Sequence, residues 1–151
     1  MTATTTLRTG HIGLNVTDLD RSLAFYRDVL GFTVHGEGKE EDRRYAFLGD
    51  GEKLLVTLWQ QAGAPFDAGR AGLHHLAFEA ESVERVREYE TALKEYGVAF
   101  AYEGVVALRE GSAAGGIFFH DPDGTRLEIS VPTGAEEAPA PVASAPTCGF
   151  F

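Results

Sequence analysis

Alternating apolar and polar residues predict a strand at 10–16, and a helix with apolar residues at helical spacing follows at 21–30. Asp18 or Asp20 can cap this helix at its N-terminus, and Gly31 ends it. The remaining apolar runs of this half predict three more strands, at 32–34, 44–48 and 53–59. The first half of the chain therefore has the pattern of a βαβββ module.

The second half repeats this order. Its helix is predicted at 83–96, with Ser82 as the N-cap residue and Gly97 at the C-terminal end. Its strands are predicted at 73–78, 98–100, 116–120 and 125–130. His11 and His75 fall at the same position of the first strand in each half, and the segment that begins at Asp50 matches the one that begins at Asp123, 73 residues later. Such self-similarity predicts a duplicated fold.

Composition divides the chain into a body and two tails. We expect an N-terminal tail at 1–9, one domain at 10–132 and a flexible C-terminal tail at 133–151. Within the domain, module one spans 10–60, a Gly-rich linker spans 61–72 and module two spans 73–132. The C-terminal tail is rich in Ala and Pro and ends in two Phe residues, which predicts either a frayed end or an aromatic tip docked in an apolar groove.

Charge and cysteine content narrow the function classes. The net charge of −10 and the pI near 4.9 argue against nucleic-acid binding, which needs a basic face. Cys148 is the single cysteine, so an intrachain disulfide is impossible. It is either a reactive thiol or metal ligand that the tail delivers or an idle thiol, and its position among tail residues favours the idle thiol. The first residues lack the apolar segment of a secretory signal, and no stretch has the ~20 apolar residues that span a bilayer. We therefore expect a cytoplasmic protein that does not bind membranes.

The repeat places three potential metal ligands on equivalent strands. If the two halves pack with pseudo-twofold symmetry, His11 and His75 converge with Glu128 from the last strand. Two imidazoles and one carboxylate form the arrangement that holds a divalent metal and leaves positions open for substrate. His74 competes with His75 for this role, but the match with His11 selects His75, and strand alternation would turn His74 to the opposite face. The alternatives are an ordinary core or surface histidine and a solvated glutamate.

The motifs GHIGLNVTDLDRS (10–22), FYRDVLGF (25–32) and FHDPDGTRLE (119–128) resemble the vicinal oxygen chelate superfamily, which has the glyoxalase, bleomycin-resistance and extradiol-dioxygenase fold. The resemblance implies an α+β fold in which two paired βαβββ modules form a cup-shaped mixed sheet. It also implies a homodimer and a divalent metal held by His11, His75 and Glu128. Fe, Mn, Zn, Ni or Co would suit this ligand set.

Departures from the family pattern narrow the reaction. Glyoxalase I-like members use a Glu in the last strand of module one, where the 73-residue spacing places Leu55. Extradiol dioxygenases place an acidic Tyr ten residues before the final Glu, where this chain has Phe118. The same spacing matches Phe118 with Tyr45, which becomes the candidate general acid, although a packed strand aromatic is the simpler interpretation.

The predicted pocket is partly apolar, and its lining residues are Phe47, Thr57, Trp59 and Phe118. The first functional hypothesis is a metal-dependent lyase, dioxygenase or transferase that chelates a small oxygenated substrate. The alternative is a non-catalytic protein of the bleomycin-resistance type, which sequesters a small molecule such as an antibiotic.

Overall fold

The computed structural model describes residues 3–151, and the chain divides into two compact units, Met1–Ala64 and Pro65–Phe151. The first two residues of the expected N-terminal tail lie outside the described residues. Residues 3–9 are exposed and have no regular secondary structure.

The first unit contains one mixed sheet and one helix. Its strands are β1 (Ile12–Asn15), β2 (Thr33–Glu40), β3 (Arg43–Gly49) and β4 (Leu54–Trp59). Their order in the sheet is β1-β4-β3-β2, with β1 parallel to β4 and the other pairs antiparallel. Helix α1 (Leu19–Leu23) continues as a π-helical segment, Ala24–Val29. One face of the sheet packs against this helix and is fully apolar: Leu14, Ala46, Leu48, Val56 and Leu58.

The second unit repeats the arrangement. Its strands are β5 (Leu76–Glu79), β6 (Val106–Ala107), β7 (Gly115–His120) and β8 (Arg126–Val131), in the order β5-β8-β7-β6. Helix α2 (Val83–Tyr96) packs on β7 and β8. The protein is therefore an α+β fold built from two βαβββ modules, as predicted.

Local side-chain chemistry sets the helix ends. The Asp18 carboxylate accepts a hydrogen bond from the Arg21 backbone N–H, which selects Asp18 over Asp20 as the cap of α1. The Ser82 hydroxyl accepts from the Arg85 backbone N–H in the same way. Gly97 ends α2 in the left-handed conformation, with φ at 90°. The predicted caps of α2 are confirmed.

The strand predicted at 98–100 is wrong in position. Phe100 makes only an isolated bridge with Phe119, and the second strand of the module is the two-residue β6. The Ala101 N–H donates to the Phe118 carbonyl, so this segment follows β7 briefly before it turns away. A two-residue strand is too short to show alternation, and for this reason the sequence pattern did not reveal it.

Strand register also corrects the predicted match between modules. Phe47 pairs with Thr57, and Phe118 pairs with Glu128, so the last two strands of the modules correspond at a spacing of 71 residues instead of 73. Asp50 corresponds to Asp121, because each carboxylate accepts two backbone N–H groups of its own turn. The counterpart of Glu128 is therefore Thr57, not Leu55. The sequence comparison aligned the Asp-Gly pair at 50–51 with the one at 123–124, although the carboxylate with the same role in the turn is that of Asp121.

Among the described residues, no helix has the length and apolar character needed to cross a membrane.

Candidate metal centre

The two faces of the second sheet differ in character. Leu127, Ile129 and Ile117 lie on the face that packs against α2, and all are buried. The opposite face carries Glu128, which pairs with Ala77 of β5 on one side and with Phe118 of β7 on the other. We call it the Glu128 face. Alternation along β7 and β8 causes this separation, so the Glu128 side chain projects from the face of β8 that points away from α2.

Glu128 and His75 form the centre of this face. His75 lies immediately before β5, and its Nε2 is 3.5 Å from Oε1 of Glu128. Glu128 is only 4% exposed and also makes a side-chain hydrogen bond with Ser130. An imidazole nitrogen and a buried carboxylate oxygen at this separation could both bind one metal ion.

The electrostatics of the two groups oppose a stable ion pair. Burial raises the pKa of Glu128, and the hydrogen bond with Ser130 offsets this effect only in part. Burial also lowers the pKa of His75, and the nearby His74 and Arg126 lower it further. The imidazole of His75 therefore favours its neutral form, which is the form that binds metal ions.

His74 does not point away from His75, contrary to the prediction from alternation. Nδ1 of His74 is 2.9 Å from Nδ1 of His75, and the rings meet edge to face at 5.1 Å. The prediction failed because both residues precede β5, so the alternation of a strand does not govern them. The contact uses Nδ1 of His75 and leaves Nε2 directed to Glu128.

Cys148 lies beside this pair, although the sequence favoured an idle thiol over a ligand delivered by the tail. One ligand atom from each of His75, Glu128 and Cys148 lies within 4.8 Å of the others. The pKa of the Cys148 thiol is raised, first by burial and then by the charge of Glu128. The three residues are distant in sequence, so only the docking of the C-terminal segment reveals the cluster.

The C-terminal tip packs against its own chain. Of the two alternatives for the tip, a frayed end or a docked aromatic tip, the structure has the docked one. Thr147 is fully buried, and its hydroxyl donates to the Ala107 carbonyl at 2.6 Å. The Phe151 ring lies 5.9 Å from the His75 ring and 5.0 Å from the Phe118 ring. The flexibility of residues 133–151 as a whole stays a prediction.

Phe118, a predicted pocket residue, is fully buried on the Glu128 face. Tyr102 covers it from one side at 5.7 Å and Phe151 contacts it at 5.0 Å. The Tyr102 hydroxyl donates to the Phe150 carbonyl at 3.1 Å. Phe118 therefore contacts the C-terminal tip in this structure, and a substrate would have to share or replace that contact.

The other predicted pocket residues lie together in the first unit. Tyr45 stacks at 5.4 Å on Phe47 and at 5.2 Å on Trp59. Trp59 donates its indole N–H to the Thr57 hydroxyl at 2.9 Å. Both side chains lie where a Cβ atom on Gly13 would contact them. These side chains form a continuous aromatic cluster on the face opposite α1.

Tyr45 is placed as a packing residue in this cluster. A Cβ atom at Gly38 would collide with the Tyr45 hydroxyl, so the phenol covers the bare backbone of the neighbouring strand. An aromatic ring over a strand glycine stabilises an edge of a sheet. The corrected register matches Phe118 with Phe47, so the predicted equivalence of Phe118 and Tyr45 is wrong. The role of Tyr45 as general acid stays a prediction without that support.

His11 is exposed and lies one residue before β1, as His75 lies one residue before β5. The equivalence of the two histidines is thus preserved within the modules. His11 belongs to the first unit, and its participation in a centre with His75 and Glu128 stays a prediction.

Comparison with known proteins identifies the family. A model of the Glyoxalase/Bleomycin resistance protein/Dioxygenase superfamily matches residues 8–129, so the chain belongs to this superfamily. Its members bind small-molecule substrates, are usually dimeric and commonly use a divalent metal.

Individual relatives differ in activity. Catechol-2,3-dioxygenase of Bacillus subtilis is 30% identical over 122 residues, which are 80% of this chain and 40% of that enzyme, so the chain spans less than half of its length. Lactoylglutathione lyase of Salmonella typhimurium is 31% identical over 137 residues, covering 82% of this chain and 91% of that enzyme. A solved glyoxylase/bleomycin resistance protein/dioxygenase domain from Frankia sp. EAN1pec is similar with a TM-score of 0.71 and 26% identity, over 84% of this chain and 93% of that one.

Proposed function

We propose that this protein is a divalent-metal-dependent enzyme of the superfamily, which acts on a small, partly apolar oxygenated substrate. The observation that carries the proposal is the approach of His75 Nε2 to Glu128 Oε1, at 3.5 Å on one face of the second sheet. His11 is retained as the third protein ligand because it occupies the position in module one that His75 occupies in module two.

The donor set fits a divalent metal. Two bonds of about 2.1 Å at a tetrahedral angle separate nitrogen and oxygen ligands by about 3.4 Å, close to the observed separation. A neutral imidazole and a buried carboxylate bind a cation without first losing strong solvation. When bound, the metal would supply Lewis acidity toward vicinal oxygens of a substrate.

The residues around the centre have separate tasks in this proposal. Ser130 holds Glu128 in place through a side-chain hydrogen bond, and His74 fixes the His75 ring through Nδ1. Phe118 excludes water from one side of Glu128. The aromatic residues Phe47 and Trp59, with Thr57, are proposed to contact the apolar part of the substrate.

The first module does not carry the carboxylate of glyoxalase I-like members. The corrected register places Thr57 opposite to Glu128 in the repeat, and a hydroxyl cannot shuttle a proton as a glutamate does. Phe118 likewise stands where extradiol dioxygenases have a tyrosine. We therefore propose a reaction that depends on chelation of substrate oxygens, with Tyr45 as the remaining candidate for a general acid.

Metal analysis of the untagged protein tests this proposal. We expect one equivalent of divalent metal in the wild-type chain and marked loss of metal in His75→Ala, Glu128→Gln and His11→Ala. His35→Ala, which changes an exposed histidine of β2, is the matched control and should keep its metal. Failure of the wild-type chain to bind Mn, Fe, Co, Ni or Zn would contradict the proposal.

A specific observation favours the alternative, a binding protein that sequesters an apolar ligand. The stacked rings of Tyr45, Phe47 and Trp59 offer a ready surface for an aromatic or drug-like molecule. Quenching of the single tryptophan, Trp59, would report such binding. Ligand binding that is unchanged by His75→Ala and by chelators would favour sequestration over metal-dependent chemistry.

The proposed assembly is a homodimer, in line with the usual state of the superfamily. Light scattering of the untagged protein tests it directly, and a mass of 16.3 kDa per particle would contradict it. A cytoplasmic location stays a prediction.

A further inference from the structure

We propose that Cys148 is an additional protein ligand of the metal, delivered to the centre by the C-terminal segment Thr147–Phe151. This inference rests on the proposed metal dependence. It adds a thiolate to the two imidazoles and the carboxylate, and it makes the C-terminal segment part of the metal site.

The first argument for this proposal is the position of the thiol relative to His75 and Glu128. Ligand atoms of His75, Glu128 and Cys148 all lie within 4.8 Å of one another. Tetrahedral bonds of about 2.3 Å to sulfur and 2.1 Å to nitrogen or oxygen require separations of about 3.6 Å. A contraction of at most about 1.2 Å in each separation therefore brings the three atoms onto one ion.

The second step is that the segment is seated by contacts that do not involve the thiol. The Thr147 hydroxyl donates to the Ala107 carbonyl, and its backbone N–H donates to the Leu108 carbonyl at 2.8 Å. Phe151 packs on Phe118 and on His120, at 5.0 and 6.1 Å. Contacts on both sides of Cys148 hold the thiol over the centre, so its position there is not that of a free tail.

The third step is the chemistry of the thiol. Metal binding replaces the S–H proton, which leaves to solvent, and a metal–thiolate bond forms with no change of oxidation state. A soft thiolate ligand favours Zn, Co or Fe over Mn.

A thiolate in the coordination sphere also changes access to the metal. With His11, His75 and Glu128 it completes four protein ligands, so a substrate must displace Cys148 or add a fifth ligand. In that case the C-terminal segment occupies part of the metal site, and a bound substrate has to displace it or bind beside it.

Cobalt(II) spectroscopy on the full chain tests this inference. The wild-type protein loaded with one equivalent of Co²⁺ should show a thiolate-to-cobalt charge-transfer band in the near ultraviolet, and Cys148→Ser should lack it. We expect Cys148→Ser to bind Co²⁺ at least about tenfold more weakly. Phe150→Ala is the matched control, because the Phe150 side chain is 62% exposed and the variant keeps the thiol.

The outcomes separate the two proposals. Stoichiometric Co²⁺ binding by the wild-type chain without the band overturns Cys148 as a ligand and leaves the metal centre of His75 and Glu128 in place. Absence of Co²⁺ binding by the wild-type chain overturns both.

Thiol alkylation gives a second measurement that does not depend on spectra or on activity. Cys148 is the single cysteine, so the modification rate of the protein reports this residue alone. We expect Zn²⁺ to slow alkylation at least about tenfold in the wild-type chain and to have little effect in Glu128→Gln. Equal rates with and without saturating Zn²⁺ would overturn the inference.

Discussion

Glu128 shows the conflict between stability and function at the scale of one residue. Its carboxyl is buried against Phe118, and burial raises its pKa because the ionised form has lost water without gaining a full positive partner. In the metal-free protein this residue therefore destabilises the fold at neutral pH. A bound cation would remove this penalty, which would account for a buried carboxylate at this position of β8.

Replacing Glu128 by Gln should separate the two effects. The amide has the same shape and no charge, so we expect the metal-free variant to be more stable than the metal-free wild type by roughly 0.5–2 kcal/mol. The same variant should lose most of its metal. Urea unfolding in the presence of a chelator measures the first effect, and equal or lower stability of Glu128→Gln would contradict the account.

His74 acts on the centre through His75. Its Nδ1 contact fixes the orientation of the His75 ring, and loss of such a supporting group typically costs about 10–100-fold in metal affinity. We expect His74→Ala to weaken binding by this factor while the stoichiometry at saturation stays at one. Titration with a competing chelator measures the affinity, with His35→Ala as the control. A wild-type affinity in His74→Ala would show that the contact has no positioning role.

At the scale of the element, the turn after the third strand of each module uses one carboxylate in the same way. Asp50 accepts from the backbone N–H groups of Lys53 and Glu52, and Asp121 accepts from those of Thr125 and Asp123. These bonds reverse the chain between two antiparallel strands and fix where the last strand begins. They therefore help to set the position of Glu128 on its strand.

The pH dependence of stability tests this role at Asp50. Hydrogen bonds from Lys53 and Glu52 lower the pKa of Asp50 below its ordinary value of 3.8, so the group stabilises the fold above that pH. Its contribution is lost as pH falls through the lowered pKa. The stability advantage of the wild type over Asp50→Asn should therefore be present at neutral pH and shrink below about pH 4. A difference that stays constant down to pH 2 would contradict this prediction.

The elements also show what the sequence could and could not predict. Helix ends were predictable at Ser82 and Gly97 because capping depends on neighbouring residues only. Strand β6 was not predictable, because a strand of two residues is too short to show an alternation of apolar and polar residues. The match between modules failed by two residues because it aligned the Asp-Gly pairs at 50–51 and 123–124, whereas hydrogen bonding and strand pairing show that Asp121 corresponds to Asp50.

At the scale of the whole molecule, the candidate site combines predictable and unpredictable parts. The proximity of His75 and Glu128 could be expected because β5, which follows His75, pairs with β8, which carries Glu128. Their role as metal ligands stays a prediction. For Cys148 the sequence favoured an idle thiol, because its location depends on Thr147 binding to the carbonyls of β6 and of the residue after it. A segment of Ala, Pro and Gly gives no periodic signal for such docking.

Metal should stabilise the entire fold in proportion to its occupancy. A ligand that binds only the folded state adds about 2.7 kcal/mol to the free energy of unfolding when its free concentration is 100 times Kd. Because the ligands come from β8, from the residue before β5 and from the C-terminal segment, we expect Zn²⁺ to raise Tm in the wild type progressively with concentration. His75→Ala should show no such rise, and Cys148→Ser should need higher Zn²⁺ for the same rise. Thermal scans at a fixed protein concentration measure this, and a Tm that is independent of Zn²⁺ in the wild type would show that the cluster does not hold an ion in the folded protein.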